Sequence, residues 1–406
     1  MDSKALTATF SPLALMLASC GGASSGDTAP SSTPAPMGDA GSQMAAGEPV
    51  SLEKESPFFV SAHGTYEEPW SLAFVPGTPV VAMTMQRGSM AAYDTRTGRT
   101  ITISGAPKVD YGGQGGLGDI AFLPSEASDT ISSRTIYLSW AEAGDGDTRG
   151  AVVGRGQLVC QEADACAIQG LQVIWRQAPK VTGRGHYSHK IAFSPDEQYM
   201  YVASGDRQKK EPAQDLSNTL GTVVRLNLDG TPAAANPFAD RGSPTDQIWS
   251  YGHRNILGLA FDPQGNLWDL EHGPAGGDEL NLVTRAANYG WPVRSNGDNY
   301  NGTKIPNHTP DDGFTKPVAF WTPVIAPGDM IFYTGSMFAD WQGDALIANL
   351  KEKNIVRVEL DGTSAKETAR YAFPNRLRDI AQGPDGAIWV IEDGDRARLL
   401  RVEPRR

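Results

Sequence analysis

Several groups of residues in this sequence are of types and spacings that can do chemistry. The densest is YGHRNILGLAFDPQGNLWDLEHGPAGGDELNLVTRAANYGWP, residues 251 to 292, where His253, Arg254, Asn255, His272, Asp278, Glu279 and Tyr289 surround the apolar runs ILGLAF and NLWDL. The glycines and proline of HGPAGG let the backbone aim carbonyls and amides at a ligand. Asp278 and Glu279 add hard oxygen donors, and carboxylate and carbonyl oxygens together suit Ca²⁺. A tight turn with solvated acids fits the same letters. His186, in RGHYSHKIAFSPD, precedes an apolar run. An imidazole there can serve as general base near neutral pH, or simply close a strand end with a hydrogen bond. Gln114 sits in the glycine-rich turn GGQGGLGDIAF. Lys351 follows ANL, while Arg376 and Arg378 lie in NRLRDI, and strand alternation puts those arginines on one face. Guanidinium forks and an ammonium suit a ligand with several carboxylates; a solvated basic edge strand fits that pattern too.

These residues need rigid elements to present them, and the chain supplies a recurring one. SLAFVPG begins at Ser71, DIAFLPS at Asp119, KIAFSPDEQYMYVASGD at Lys190, GLAFDPQGNLWDLEHG at Gly258 and DIAQGPDGAIWVIEDGD at Asp379; GDALIANLKEKNIVRVEL, from Gly343, adds a sixth strand pair. Each reads as an apolar strand, a tight turn and a second strand. Repeated strand pairs of this kind mark a β-propeller, and the recognisable units favour six blades. The polar residues then fall in loops at strand ends. Trp70, Trp268 and Trp389 sit inside the repeated strands and read as core. Trp291 and Trp321, in GWP and WTP, read as loop residues able to face a central funnel.

Composition bounds the rest. The chain has 406 residues and a formal net charge of −12, which argues against nucleic acid as a partner. Its 45 glycines and 28 prolines, with no long amphipathic pattern, lean all-β. An apolar run from Ala5 to Leu17 follows Lys4 and is short for a membrane span. Leu17-Ala18-Ser19-Cys20 resembles a bacterial lipobox, with Cys20 as the lipidated residue. Residues 1–20 therefore read as a lipoprotein signal peptide and 21–56, rich in Ser, Ala, Gly and Pro, as a flexible tether. Residues 57–406 read as the propeller domain. Cys160 and Cys166 lie close together in LVCQEADACAI. An exported chain permits a disulfide between them, and free thiols are the alternative.

GHRN, HGPAGGDELNL and NYGWP, in that order, resemble the soluble PQQ-dependent aldose sugar dehydrogenases, a family related to soluble quinoprotein glucose dehydrogenase. GQGGL and the run GDRQKKEPAQDLSNTLGTVVRLNLDGTPAAANPF extend the likeness, which spans about residue 57 to the C-terminus. The resemblance implies a six-bladed propeller holding PQQ and Ca²⁺ in a central funnel and oxidising the C1 hydroxyl of an aldose to a lactone. It implies that His186 is the general base while hydride passes to PQQ C5, and that Arg254 stabilises charge on the C5 oxygen. Asn255 would face the quinone, Gln114 the quinone and substrate, and Trp321 the substrate. Lys351, Arg376 and Arg378 would hold the carboxylates of PQQ. The Gly273 and Pro274 carbonyls would bind the cofactor Ca²⁺; Asp278, Glu279 and Tyr289 would support that loop or hold a second Ca²⁺. A cytochrome, a quinone or a dye would take the electrons, at a cell envelope where the lipid anchor makes the membrane a partner and the domain is periplasmic.

The sequence also departs from the family. Ser188 stands for the usual glycine, His189 for a small polar residue, Lys190 for arginine, Thr222 for lysine and Val318 for a tyrosine. His189 is a second candidate contributor beside His186. A propeller that binds a sugar or a protein without redox activity is the rival reading.

Overall fold

A computed structural model describes residues 47–405. Cys20, the signal segment and most of the tether lie outside them. Every regular element among the described residues is a β-strand or a short 3-10 turn, as the all-β reading expects. The apolar-run-and-turn repeats form antiparallel strand pairs. In KIAFSPDEQYMYVASGD, for example, Ser188–Phe193 pairs with Tyr199–Ser204. Thr222–Asn227 and Ile248–Tyr251 then continue that sheet outward.

The inner strands of the sheets are Pro69–Phe74, Leu117–Phe122, Ser188–Phe193, Ile256–Phe261, Pro327–Phe332 and Leu377–Gln382; the pair read from Gly343 forms the second and third strands of its sheet, outside Pro327–Phe332. Each inner strand packs on the next, and the last packs on the first, so they close a ring. These strands are the inner edges of three four-stranded sheets, one five-stranded sheet and one eight-stranded sheet, the last supplying two of them. The eight-stranded sheet contains one parallel seam, where Ala165–Arg176 meets Arg99–Ser104 through Ala165↔Thr102, Cys166↔Ile103 and Ala167↔Ser104. Cys160 and Cys166 face each other in the adjoining hairpin and are joined by a disulfide.

In the five-stranded sheet, Phe58–Tyr66 from one end of the fold pairs with Ala397–Pro404 from the other. This sheet also corrects the tether boundary. Glu48–Pro49 pairs with Ser61 and Ala62, and Val50 and Leu52 pack against the core around Phe58. Two apolar side chains in an otherwise polar stretch had somewhere to go.

Between sheets the core is built from alternating inward residues. Trp268 and Trp389 are fully buried in it, and complete burial of each large apolar side chain contributes about 1.5–3 kcal/mol. At the middle of the ring, Lys190 Nζ lies 2.8 Å from Asp119, 3.0 Å from Asp329 and 3.8 Å from Asp379. Burial opposes the ammonium charge, but these carboxylates hold its pKa well above the ordinary lysine value. The three acids come from three other inner strands, so one lysine pins the ring across its middle.

Candidate active site

The ring presents its loops around a cavity of about 370 Å³ whose wall includes Trp70, Gln114, His189, Asn255, Arg376 and Arg378. A neighbouring cavity of about 540 Å³ shares His272 and Ala326 with it and is lined by Gly273, Pro274, Asp278 and Lys351. A third, of about 340 Å³, shares Pro274 and Tyr300 with the second and brings in His186, Asp206, Arg254 and Trp291. The residues scattered through the motifs thus meet in three adjoining spaces.

His186 is held on every side. Its Nδ1 lies 2.7 Å from Asp206 Oδ1, and its backbone N–H donates to Gln114 Oε1 at 2.6 Å. Asp206 is fixed in turn: Trp291 Nε1 donates to its Oδ2 at 2.8 Å, and Gln208 N to its Oδ1 at 2.8 Å. Burial pushes the His186 pKa below the ordinary imidazole value, although Asp206 pulls the other way. Burial also opposes the Asp206 charge, yet His186 and the Trp291 N–H hold that carboxyl below its usual range. A neutral imidazole with Nδ1–H on a carboxylate leaves Nε2 as the proton acceptor, the arrangement a general base requires. His186, Ser188 and His189 all have positive φ, at 50°, 59° and 57°. Strained backbone of this kind concentrates at functional sites.

Arg254 stands beside this pair. Its Nη1 donates to the His272 carbonyl at 2.9 Å, and its guanidinium lies 5.2 Å from the Trp291 ring centre. Its own N–H is tied to Glu271 Oε2 at 2.6 Å. Glu271 belongs to a buried group with Asp269 and His253, whose Nδ1 lies 3.3 Å from Asp269 and 3.4 Å from Glu271. Arg254 Nε is buried and has no protein acceptor among the described residues, an unpaired N–H of the kind that native sites seldom keep without a use.

Arg376, just before the strand Leu377–Gln382, and Arg378, within it, reach one carboxylate: Arg376 Nε lies 2.7 Å from Asp393 Oδ2 and Arg378 Nη2 2.6 Å from Asp393 Oδ1. Burial works against the Asp393 charge, but the two guanidiniums hold its carboxyl below the usual range. Arg378 also lies over Trp70, 4.4 Å from the ring centre. Lys351 is apart from them, on the wall beside Gly273 and Pro274.

The HGPAGG loop is built from behind. Asp278 accepts from Gly273 N at 2.9 Å and from Ala326 N at 2.7 Å, and burial pushes its pKa up to about 6. Gly277 N donates to the Trp321 carbonyl at 2.8 Å and to Thr322 Oγ1 at 2.9 Å. His272 Nε2 donates to the Pro327 carbonyl at 2.6 Å, tying the loop to an inner strand. The Gly273 and Pro274 carbonyls are taken by no protein donor among the described residues. Glu279 is buried near Glu271, and burial followed by that carboxylate raises its pKa well above the usual range.

Two tryptophans stand differently from their sequence reading, and Tyr289 takes the supporting one of its two readings. Trp321 is not on the cavity walls: its indole packs with Trp268 and Met330, and Nε1 donates to Glu367 Oε2 at 2.7 Å. The WTP letters signal a loop, but the strand Ala319–Trp321 runs to the tryptophan and points it inward. Trp70, read as core, instead lines the cavity beneath Arg378. Tyr289 gives its hydroxyl to the Leu282 carbonyl and stacks on His253, 4.5 Å between ring centres, so its phenol supports the loop rather than facing an ion. Sequence reasoning missed Asp206, Asp393 and Tyr300. Asp206 had a signal, since GDR closes the strand that pairs with the His186 segment. Tyr300 is 77% exposed beside Arg254, and nothing in DNYNG distinguishes it from a turn residue.

A closed ring of strands thus brings a carboxylate-backed imidazole and several guanidiniums to adjoining cavities, an arrangement suited to enzymic acid–base chemistry on an anionic ligand. The chain belongs to the Glucose / Sorbosone dehydrogenase family, whose model matches residues 66–401. It is 36% identical over 344 residues to Aldose sugar dehydrogenase YliI of Escherichia coli (strain K12), covering 84% of this chain and 91% of that protein. The apo-form structure of the soluble aldose sugar dehydrogenase from Escherichia coli superposes with a TM-score of 0.78 at 34% identity, over 85% of this chain and 99% of that one. The PQQ-bound form of an aldose sugar dehydrogenase from Streptomyces coelicolor does so with a TM-score of 0.65 at 26% identity, over 85% and 98%.

Proposed function

We propose that this protein is a six-bladed propeller that oxidises the C1 hydroxyl of an aldose to a lactone, using PQQ and Ca²⁺. The eight-stranded sheet is read as two blades joined at its parallel seam, which with the other four sheets makes six around the ring. The observation that carries the activity is the His186–Asp206 pair beside Arg254 at the edge of a cavity with basic walls. His186 Nε2 takes the hydroxyl proton, and Asp206 holds the imidazolium that results. Arg254 offers its unclaimed N–H to the oxygen on which negative charge develops. Tyr300, at the mouth, gives the sugar an apolar face. PQQ, when bound, supplies the two-electron acceptor for the hydride that leaves C1.

The residues present fit that cofactor. Arg376 and Arg378 suit its carboxylates, the Arg254 Nε–H is unclaimed, and the free Gly273 and Pro274 carbonyls are hard donors suited to Ca²⁺. Asp278 holds that loop in place, and Lys351 stands on the same wall. The decisive assay is reconstitution of purified protein with PQQ and Ca²⁺, followed by aldose-dependent dye reduction. No reduction with any of a broad set of aldoses would favour the non-catalytic binding reading instead.

Ca²⁺ should be required for PQQ to bind. Chelation should abolish binding, and Ca²⁺ should restore it better than Mg²⁺, which dehydrates reluctantly and demands octahedral geometry. Unchanged PQQ affinity after verified metal removal would eliminate the loop as a cofactor metal site.

The two arginines should differ. Arg378 is 11% exposed and stacked on Trp70, whereas Arg376 is 48% exposed. Arg378→Ala should weaken PQQ binding by about 1.5–3 kcal/mol, the value of one charged hydrogen-bonding interaction. Arg376→Ala should lose less, because solvent screens it. Equal, wild-type affinities by cofactor titration would remove both from the site.

We also propose export and anchoring through a lipidated Cys20, with the domain facing the periplasm. Cys20→Ser should move the protein from the membrane fraction to the soluble one; a wild type that is already soluble would end this reading.

A further inference from the structure

His189 belongs to none of the interactions described for the reaction, yet it is 1% exposed and lines the central cavity. Its Nδ1 lies 2.7 Å from Ser139 Oγ. That oxygen already accepts the Asp119 N–H at 2.8 Å, and His189 is its one other partner among the described residues. No other acceptor for the Ser139 hydroxyl proton lies within reach among the described residues, so the arrangement that satisfies it has Nδ1 as the acceptor. Burial pushes the His189 pKa down to about 4, so at neutral pH the ring carries a single proton, on Nε2. Nε2 has no protein partner. A buried N–H left unpaired is costly, and native structures seldom keep one without a use.

The ring is seated deliberately. A Cβ on Gly118 would collide with its Cε1 and Nδ1, so the glycine makes room for it. The strand is bulged between Ser188 and Ile191, and bulges re-aim side chains. Trp70 lies nearly parallel to the imidazole at 16°, with 6.5 Å between ring centres, and Tyr187 meets it edge-on. Trp70 also carries Arg378 on its ring. The imidazole thus shares a wall with the basic group read as the carboxylate anchor.

We propose that His189 is a cofactor-binding residue whose Nε2–H donates to a carboxylate or carbonyl oxygen of the planar anion held in the central cavity. This rests on the reading of that cavity as the PQQ site. The role is one of binding and orientation, distinct from the proton transfer assigned to His186.

The test uses apo-protein saturated with Ca²⁺ and titrated with PQQ, followed by tryptophan fluorescence. His189→Asn keeps an acceptor for Ser139 but lacks the far N–H, whereas His189→Gln places an amide N–H near the position of Nε2. The Asn variant should bind about tenfold more weakly, as expected for one lost hydrogen bond, and the Gln variant should stay within about threefold of wild type. A purely structural histidine would give the reverse order. Wild-type affinity in the Asn variant, or equal losses in both, would overturn the assignment. Should both variants fail to fold, ¹⁵N-histidine spectra of the wild type decide: an Nε2–H tautomer whose signal shifts on adding PQQ supports the proposal, and an Nδ1–H tautomer or an unmoved signal overturns it. A wild type that takes up no PQQ at all would instead defeat the cofactor reading, and this inference with it.

Discussion

His186→Gln is expected to lower the single-turnover reduction of bound PQQ by an aldose by about two to four orders of magnitude, the range for loss of a general base. PQQ and Ca²⁺ binding should be nearly intact, because His186 lines the cavity of Arg254 and Trp291 rather than that of Arg376 and Arg378. The pH dependence follows in sign from the environment of the ring. A base must be unprotonated, so kcat/KM should fall as pH drops through the His186 pKa of the free enzyme. Burial places that pKa below the ordinary imidazole value, and the profile should therefore be flat across neutrality with its acid limb below it. Asp206 acts to raise the same pKa. Asp206→Asn should accordingly move the limb to still lower pH and lower the plateau roughly ten- to a hundredfold, since the amide no longer secures the Nδ1–H tautomer. Wild-type reduction of PQQ by the His186→Gln variant would rule out the assigned mechanism.

Arg254→Leu is expected to cost about 10²–10³ in the same measurement, the scale for removing one preorganised donor at a developing oxyanion. Three features argue for preorganisation rather than simple charge. The guanidinium is clamped by the His272 carbonyl, its backbone N–H by Glu271, and its face by Trp291. Glu271 is in turn fixed by Asn281 and His253. Arg254→Lys should recover little, because an ammonium cannot hold the His272 carbonyl and present a second N–H in a fixed fork. A melting temperature close to wild type in both variants would separate catalysis from folding. If Arg254→Leu stays within about threefold of wild type, no donor of the kind invoked acts there.

Much of this site was legible because its residues sit in the loops that the repeated strand pairs define. The positions of His186, Arg254, Asn255 and the HGPAGG loop follow from where apolar runs stop. What was less legible is side-chain pairing between the ends of neighbouring strands. Asp206 and Asp393 each follow the strand paired with the one that begins beside their histidine or arginine partner; GDR hinted at the first, and only the strand register brings the second to its arginines. Trp70 and Trp321 exchanged roles for a related reason. Residues at strand ends can face either the core or the opening, and the register that decides it is set by partners: Arg378 draws Trp70 into the wall, and Glu367 holds Trp321 in the core. The arginines reach one carboxylate although only Arg378 lies in the strand, and their charge is partly neutralised by an acid the pattern did not flag.

The pairing of Phe58–Tyr66 with Ala397–Pro404 has a kinetic consequence. The contact that completes the ring joins segments separated by almost the whole chain, and closing so long a loop costs entropy that only the finished sheet repays. Until Ala397–Pro404 is in place, the edge of Phe58–Tyr66 that it covers is unpaired, and exposed edges invite pairing with other chains. Folding of this ring is therefore tied to arrival of its last strand, and loss of that strand alone would leave the first one without the neighbour that holds it.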